Sequence, residues 1–545
     1  ETGQETVRST GSLLSKKNVT LSGKRVDLSE GQLAAKQTTV TAQKEGVGLN
    51  KTRVDSENLH ISSTGDVDAR QAEIKAGNWD VNADNLFNQQ AVWSQTGTGD
   101  NRFTLQNQLD NTGGTIEAQR LNLNAGALTN QNGRLVALDG SDQQWHVTGL
   151  IDNRAGELGS NGNMALSTGS LTNLGGSVKS MLSLQVDAKH ALDNSEGRLL
   201  AGNNVTLQAE TLVNHAGVLN GEAVKITAQQ LDNAQGQILS QQGLALDAQQ
   251  SLDNHQGLIA AGQNADVHTE GSWNNQGGTV QSETQLKLSA RNLNNTQGKL
   301  LSGDLLVLKA SGEVNNAAGE ISGSALTLGV QNLSNDKGKV IGGRSVILDA
   351  KNGLDNAQGL LAAGQMLNLS TEGMLNNLNG GISAADLDLT AGQLDNTQGK
   401  IIADNGLHVR AQQALDNTLG LLEAGETLDA STQGNWKNQQ GTAQGGKAVI
   451  AATHDFDNTN GRLQSGGALR LDSAGNVINQ GGKLTAQKDL TWQGATTSLF
   501  NNDGGSLQSG NNLSVTGGRL TNRAQGIVLG QDALSFDLAA DVNNQ

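Results

Sequence analysis

Apolar and polar residues alternate along most of this chain. ILSQQGLALDA from Ile238 and KLLSGDLLVLKA from Lys299 repeat their apolar positions with a period near two, the pattern of strands with one buried face. No part of the repeat carries a stripe of period 3.6. A fixed phrase interrupts the alternation at regular intervals. Leu231 to Ser251 reads LDNAQGQILSQQGLALDAQQS, and Leu252 starts it again with LDNHQGLIAAGQNADVHTEGS. Taking the Asn as reference, an apolar residue stands two before it, Gly three after and a further apolar residue about five after.

The Asn recurs at positions 111, 130, 153, 173, 194, 214, 233, 254, 275, 295, 316, 335, 356, 377, 396, 417, 438, 458, 479 and 501, in steps of 19 to 23 residues. Each is followed three residues later by Gly, from Gly114 through Gly236 to Gly504. The pairs Asn233 and Gly236, Asn254 and Gly257, Asn295 and Gly298, Asn356 and Gly359, and Asn396 and Gly399 represent the set. A unit this short cannot bury its own apolar face and must stack on copies of itself, which makes a solenoid. A leucine-rich repeat would need a Leu-x-x-Leu-x-Leu frame and usually a helical segment. Alternation without helical periodicity selects the other solenoid of this period, an all-β parallel β-helix of about 20–21 residues per coil, and roughly 25 coils. At about 4.8 Å per coil, the twenty marked coils would extend on the order of 100 Å.

Within such a coil the Asn and Gly have physical roles. The Asn233 amide both donates and accepts, so it suits a ladder running from coil to coil. A surface turn signal is the simpler alternative, but it does not explain one residue type retained at every coil. Gly236 suits a corner that needs either positive φ or close backbone approach.

Composition supports the same architecture. The chain has no Pro, where about 27 would be expected at the average frequency, and Pro lacks the N–H that a strand paired on both sides must donate. Aromatic residues make up 2%, as suits a narrow aliphatic core. Trp273, Trp436 and Phe456 occupy the slot usually held by Leu and are expected in that core. With no Cys there is no disulfide framework, thiolate metal site or Cys nucleophile, which also suits a chain that crosses a membrane unfolded. A net charge of −16 disfavours nucleic acid and polyanions such as heparin as partners. No apolar run reaches the length of a membrane-spanning helix.

Three segments are distinguished. Residues 1–85 alternate without the phrase and carry 11 Lys or Arg against 12 Asp or Glu. They are read as irregular β-helix coils, with a small β domain as the alternative, and Val19, Leu21, Val26 and Leu28 as core. Residues 86–150 are a transition: Leu86, Phe87 and Asn88 begin the phrase, Ala91 replaces the Gly, and a long coil carries Trp145 and His146. Residues 151–545 are the regular rod. Extra residues must leave a coil as loops, where recognition concentrates, so Trp93, Phe103, Trp145 and His146 are the candidate recognition residues, a tolerated insertion being the alternative. The opening Glu1-Thr2-Gly3 resembles an expression remnant, and the last coil ends at Gln545 without a cap, so the natural chain is expected to continue in at least one direction.

Catalytic candidates are few. Asp110, Asp152, Asp253, Asp355, Asp395, Asp416 and Asp457 share one place in the phrase, and a glycosidase pair needs two carboxyls roughly 5–10 Å apart. The same slot elsewhere holds Thr129, Val213, Asn294 and Ser334, so the Asp residues read as a polar surface ladder. Calcium-binding nonapeptides and Asp-rich loops are missing from the sequence. His215 and His255 fall two coils apart, too far to share a metal. No catalytic residue, metal site or cofactor is assigned.

The LDNxxGxI phrase, from LDNTGGTIEA at Leu109 to FNNDGGSLQS at Phe500, resembles the filamentous haemagglutinin repeats of bacterial two-partner secretion exoproteins, and in particular the haemagglutinin-repeat rod of the CdiA family of contact-dependent growth inhibition proteins. The resemblance covers roughly residues 86–545. It implies a right-handed parallel β-helix, passage through an outer-membrane two-partner secretion transporter, display on a Gram-negative cell, and a target-cell receptor or glycan as partner. In the CdiA family the rod also delivers a C-terminal toxin. A structural stalk is therefore expected, with a surface-bound carbohydrate-active enzyme or polysaccharide-binding adhesin as the alternative.

Overall fold

Each coil is built outward from its turn. In the computed structural model, which describes residues 5–545, the phrase at Asn233 is followed by strand Gln237–Ser240, a tight turn, and strand Leu244–Asp253, which leads into the next Asn. Glu1, Thr2 and Gly3 lie outside the described residues. Ile238, Leu244, Leu246, Ala248 and Leu252 are buried and alternate with outward-facing residues. Gln249 and Gln250 both face outward, where the pairing register shifts between Ala228 and Gln230 on the neighbouring strand. The chain bends there and takes up one of the two residues by which coils of 19 and 21 differ; the tight turn after Ser240 takes up the other.

All pairing is parallel and joins equivalent positions of successive coils. Leu219 pairs with Ile238, and Ile238 with Ile259; Leu231 pairs with Leu252. In-register stacking sets each inward apolar residue on another, because a slip of one residue would turn the whole set outward. Strands and turns account for the described residues, with no helix, in two units, Glu1–Gly271 and Ser272–Gln545. Both are parallel β-solenoids, with about 26 turns between them.

In the first unit, strands Asn18–Asp27, Gln32–Gly48, Arg53–Ser63 and Glu73–Phe87 pair in parallel sequence. Val26 and Leu28 are buried, while Val19 and Leu21 are only partly so. Further on, Trp79, Trp93 and Phe103 share the interior; Trp93 meets each of the other two edge to face at 5.4 Å. The 23-residue steps from Asn88 and Asn130 shed their extra residues at 96–99 and 139–142.

The second unit is the more regular. Leu300, Ile321, Val340, Leu361, Ile382 and Ile401 stack directly on one another. Trp273, Trp436 and Phe456 lie in the core, each at most 1% exposed. The sequence phrase at Phe500 is corrected by one residue: Phe500 pairs with Val477, so Asn502 and Gly505, not Asn501 and Gly504, hold the repeat positions.

Candidate functional site

The repeated Asn forms a buried amide column in each unit. Asn233 is completely buried; its Nδ2 donates to Asn254 Oδ1 at 2.7 Å and makes longer bonds to the carbonyls of Gly236 and Leu258, both 3.3 Å. Its Oδ1 accepts from Asn214 at 2.7 Å. The same short link runs from Asn295 to Asn316, Asn356 to Asn377 and Asn396 to Asn417. Each of these amides is thus satisfied by the coils on both sides, as burial of a polar group demands, whereas Asn88 at the start of the column leaves its Oδ1 without a partner.

Gly236 serves close approach rather than positive φ. The left-handed residue of the turn is its predecessor, Gln235 at φ 57°, and the same holds for Gln256, Gln297, Gln358 and Gln398. A Cβ on Gly236 would lie 2.7 Å from Asn233 Oδ1 and 2.9 Å from Asn214 Nδ2, and would overlap the Asn214 carbonyl oxygen. Gly257, Gly298, Gly359 and Gly399 are hemmed in the same way. A second column, Gly202, Gly262, Gly303, Gly364 and Gly425, meets a carbonyl of the preceding coil at the next corner. It went unnoticed in the sequence, although Gly eight residues after the Asn was its signal there.

The aligned Asp residues cap turns. Asp110, Asp253, Asp355, Asp395, Asp416 and Asp457 each accept from the backbone N–H two residues on, at 2.8–3.1 Å, the Asx-turn arrangement. Asp152 makes the same contact with Arg154 and adds a two-pronged ion pair. Burial pushes its carboxyl up, but the hydrogen bonds from Arg154 and Gln131 outweigh this and hold it below the usual carboxylate range. Among the described residues no His, Asp or Glu cluster is arranged to hold a metal ion.

The four candidate recognition residues separate by burial. The rings of Trp93, Phe103 and Trp145 are 0%, 0% and 1% exposed, so they face the core and lie out of a partner's reach. The Trp145 indole donates to the Leu121 carbonyl at 3.0 Å. His146 alone faces outward. It lies in a shallow trough of about 650 Å³ on the outer face of the strands spanning 100–110 to 184–188. Arg102, Asn122, Asn124, Gln144 and Asp187 also line this trough. Register aligns Asn122 with Arg102, His146 with Asn124 and with Ser167, and Ser167 with Asp187. Sequence reading missed the trough because its residues lie in different coils of unequal length.

A family model described as the haemagglutinin repeat matches residues 1–91, 120–196, 183–271, 255–322, 306–358, 348–433, 410–494 and 482–545. A curated relative, Toxin CdiA of Yersinia pestis, is 27% identical over 259 residues, which cover 44% of this chain and 8% of that protein. The chain therefore spans under a tenth of the relative's length. No solved structure matches.

Proposed function

Because the chain belongs to the haemagglutinin-repeat family, we propose that it is a stalk segment of a large secreted bacterial exoprotein, one that projects or presents adhesive or receptor-binding regions and performs no catalysis itself. The observation that carries this reading is the division of labour within each coil. What recurs is what makes the next coil fit: the inward Leu, Ile and Val, the buried Asn and the glycine against it. What faces outward changes from coil to coil. A residue set repeated in coil after coil from Asn111 onward does not mark one active site, and the aligned Asp side chains are engaged in their own turns.

The exoprotein would leave a Gram-negative cell through an outer-membrane two-partner secretion transporter and remain on the cell exterior, its partner being a target-cell receptor or glycan. The absence of Cys suits export in an unfolded state, and the net charge of −16 disfavours nucleic acid as a partner. Likeness to a protein named Toxin CdiA supports a place in contact-dependent toxin delivery.

Removing whole coils tests the stalk. Cells displaying the parent exoprotein without residues 356–395, which run from Asn356 to the residue before Asn396, should secrete it normally and lose target-cell contact only gradually as further pairs of coils are excised. Abrupt and complete loss of contact on removing that one pair, with secretion intact, would contradict a spacer.

A further inference from the structure

The trough around His146 gathers outward polar side chains from successive coils on one face of the first unit. In each unit some outward charged side chains engage neighbours along the coil stack, while others, such as Lys225 and Lys287, do not. His60 meets Asp80 at 3.5 Å, His408 meets Asp429 at 3.3 Å, Arg410 meets Asp388 at 3.0 Å, and Ser370 donates to Asp349 at 3.1 Å. In the trough, Arg102, Asn122, Asn124, Gln144, His146 and Asp187 make no side-chain hydrogen bond or ion pair among the described residues. Their donors and acceptors are therefore all available to a ligand.

We propose that this trough binds a short, uncharged glycan lying across the coils. From Arg102 to Gln185 the trough crosses four coil steps, roughly 19 Å at about 4.8 Å per step. Its volume is that of an ordinary ligand site. Amide and imidazole side chains offer donor and acceptor together, which is what a sugar hydroxyl requires. The two outlying charges oppose each other: Arg102 lies at one end and Asp187 at the other. A polyanion would meet Asp187 and the net negative charge of the chain, and a polycation would meet Arg102; a neutral polyhydroxyl ligand uses both. Since Phe103 and Trp145 lie beneath the sheet surface, recognition is by hydrogen bonding and not by ring stacking. The polar groups project from paired strands, so little backbone ordering is needed on binding.

The test uses the full 545-residue chain in titrations against neutral gluco-, manno-, galacto- and N-acetylglucosamine oligomers, with a uronic acid oligomer and a lysine oligomer alongside. At least one neutral oligomer should bind saturably and neither charged one should. Asn124→Ala combined with Gln144→Ala should weaken binding about tenfold or more, the loss expected of two hydrogen bonds. Gln208→Ala combined with Lys225→Ala, on the same face beyond the trough, should leave it unchanged. All variants are solvent-facing and should keep the strand-dominated far-UV spectrum. The proposal is overturned if no neutral oligomer binds, if a charged oligomer binds better, or if the trough pair has no larger effect than the distant pair.

Discussion

The coils before Asn88 and those after it close the same turn with different residues. In the leading coils, Leu28, Leu49 and Ala69 occupy the place of the repeated Asn and are buried. The turn itself is retained: the N–H three residues on still donates to that residue's carbonyl at 3.0 Å, from Gly31, Thr52 and Ala72 as from Gly236. The left-handed residue also persists, at Glu30, Lys51 and Gln71. What changes is the freedom of the following position. Thr52, Ala72 and Ala91 carry a Cβ there, and at Gly31 an added Cβ would come no closer than 3.0 Å to any neighbour, the carbonyl oxygens of Gly11 and Leu28, with that of Ser9, one coil back, at 3.2 Å. At Gly236 the Asn214 carbonyl would be overlapped and two ladder amides lie within 3 Å. The glycine is thus required where the Asn of the preceding coil brings its carbonyl and its amide against that position, and not by the turn itself. Asn88, the first Asn of the column, still tolerates Ala91, whereas Gly114, the first to follow an Asn in the preceding coil, is hemmed in by Asn88 and Asn111.

The largest effect should come from cutting the column. Asn233→Leu strands the Asn214 donor and the Asn254 acceptor in the interior, and hydrogen exchange should show the surrounding coils losing about 2–5 kcal/mol of protection. Leu49→Asn, in the leading coils, makes the converse error, one buried amide with no column to join, and should cost about 1–3 kcal/mol. If Asn233→Leu is neutral, the column does not stabilise the stack. Next comes the glycine: Gly236→Ala should cost about 1–3 kcal/mol by overpacking, while Ala72→Gly loses only about 1 kcal/mol, through chain entropy. Equal costs would erase the difference between the two regions.

Tryptophan extends the contrast more weakly. Trp145→Phe breaks the bond to the Leu121 carbonyl and should lose about 1 kcal/mol more than Trp79→Phe, because the Trp79 indole N–H, in the coils before Asn88, has no hydrogen-bond partner. The smallest effect concerns a feature common to both regions. Asp68 pairs with Arg70 and Asp152 with Arg154, each at 2.6 Å. In both, burial raises the carboxyl but is outweighed by the arginine's hydrogen bonds and charge, so each sits below the usual carboxylate range. A depressed carboxyl stabilises above its unfolded value and loses that contribution as pH falls through the folded one. Acidification should therefore weaken both turns alike, and Arg70→Ala and Arg154→Ala should each have only a small effect at neutral pH, since solvent screens these half-exposed arginines. A pH response confined to one region would show that these ion pairs depend on the column after all.

Much of the fold was legible because strand alternation and the Asn-to-Gly spacing report the same coil. The β-solenoid, the inward residues such as Ile238 and Leu246, and the core placement of Trp436 follow from period and parity. Where parity was overridden by a richer local signal, the reading slipped. Two adjacent Asn and two adjacent Gly at Asn501 to Gly505 permitted either register, and only Phe500 stacking on Val477 chooses Asn502. Phe103 drew attention as an aromatic in an irregular stretch, yet it alternates with Arg102 and Thr104 and so points inward. The two meanings of a glycine, strained φ or close approach, are indistinguishable in one sequence. The trough was hidden for a different reason: its neighbours are set by coil lengths that vary by several residues, so side chains that meet in space share no fixed spacing.

The dependence of Gly236 on the amide column is tested most directly by a double-mutant cycle. Gly236→Ala would be made in the native background and in one carrying Asn214→Leu and Asn233→Leu, which imitates the leading coils, and the stability of the coil from Asn233 to Asn254 read by hydrogen exchange. With the two amides gone, the cost of Gly236→Ala should fall by about 1 kcal/mol or more. The same cost in both backgrounds, within about 0.5 kcal/mol, would contradict it and return the glycine to the turn alone.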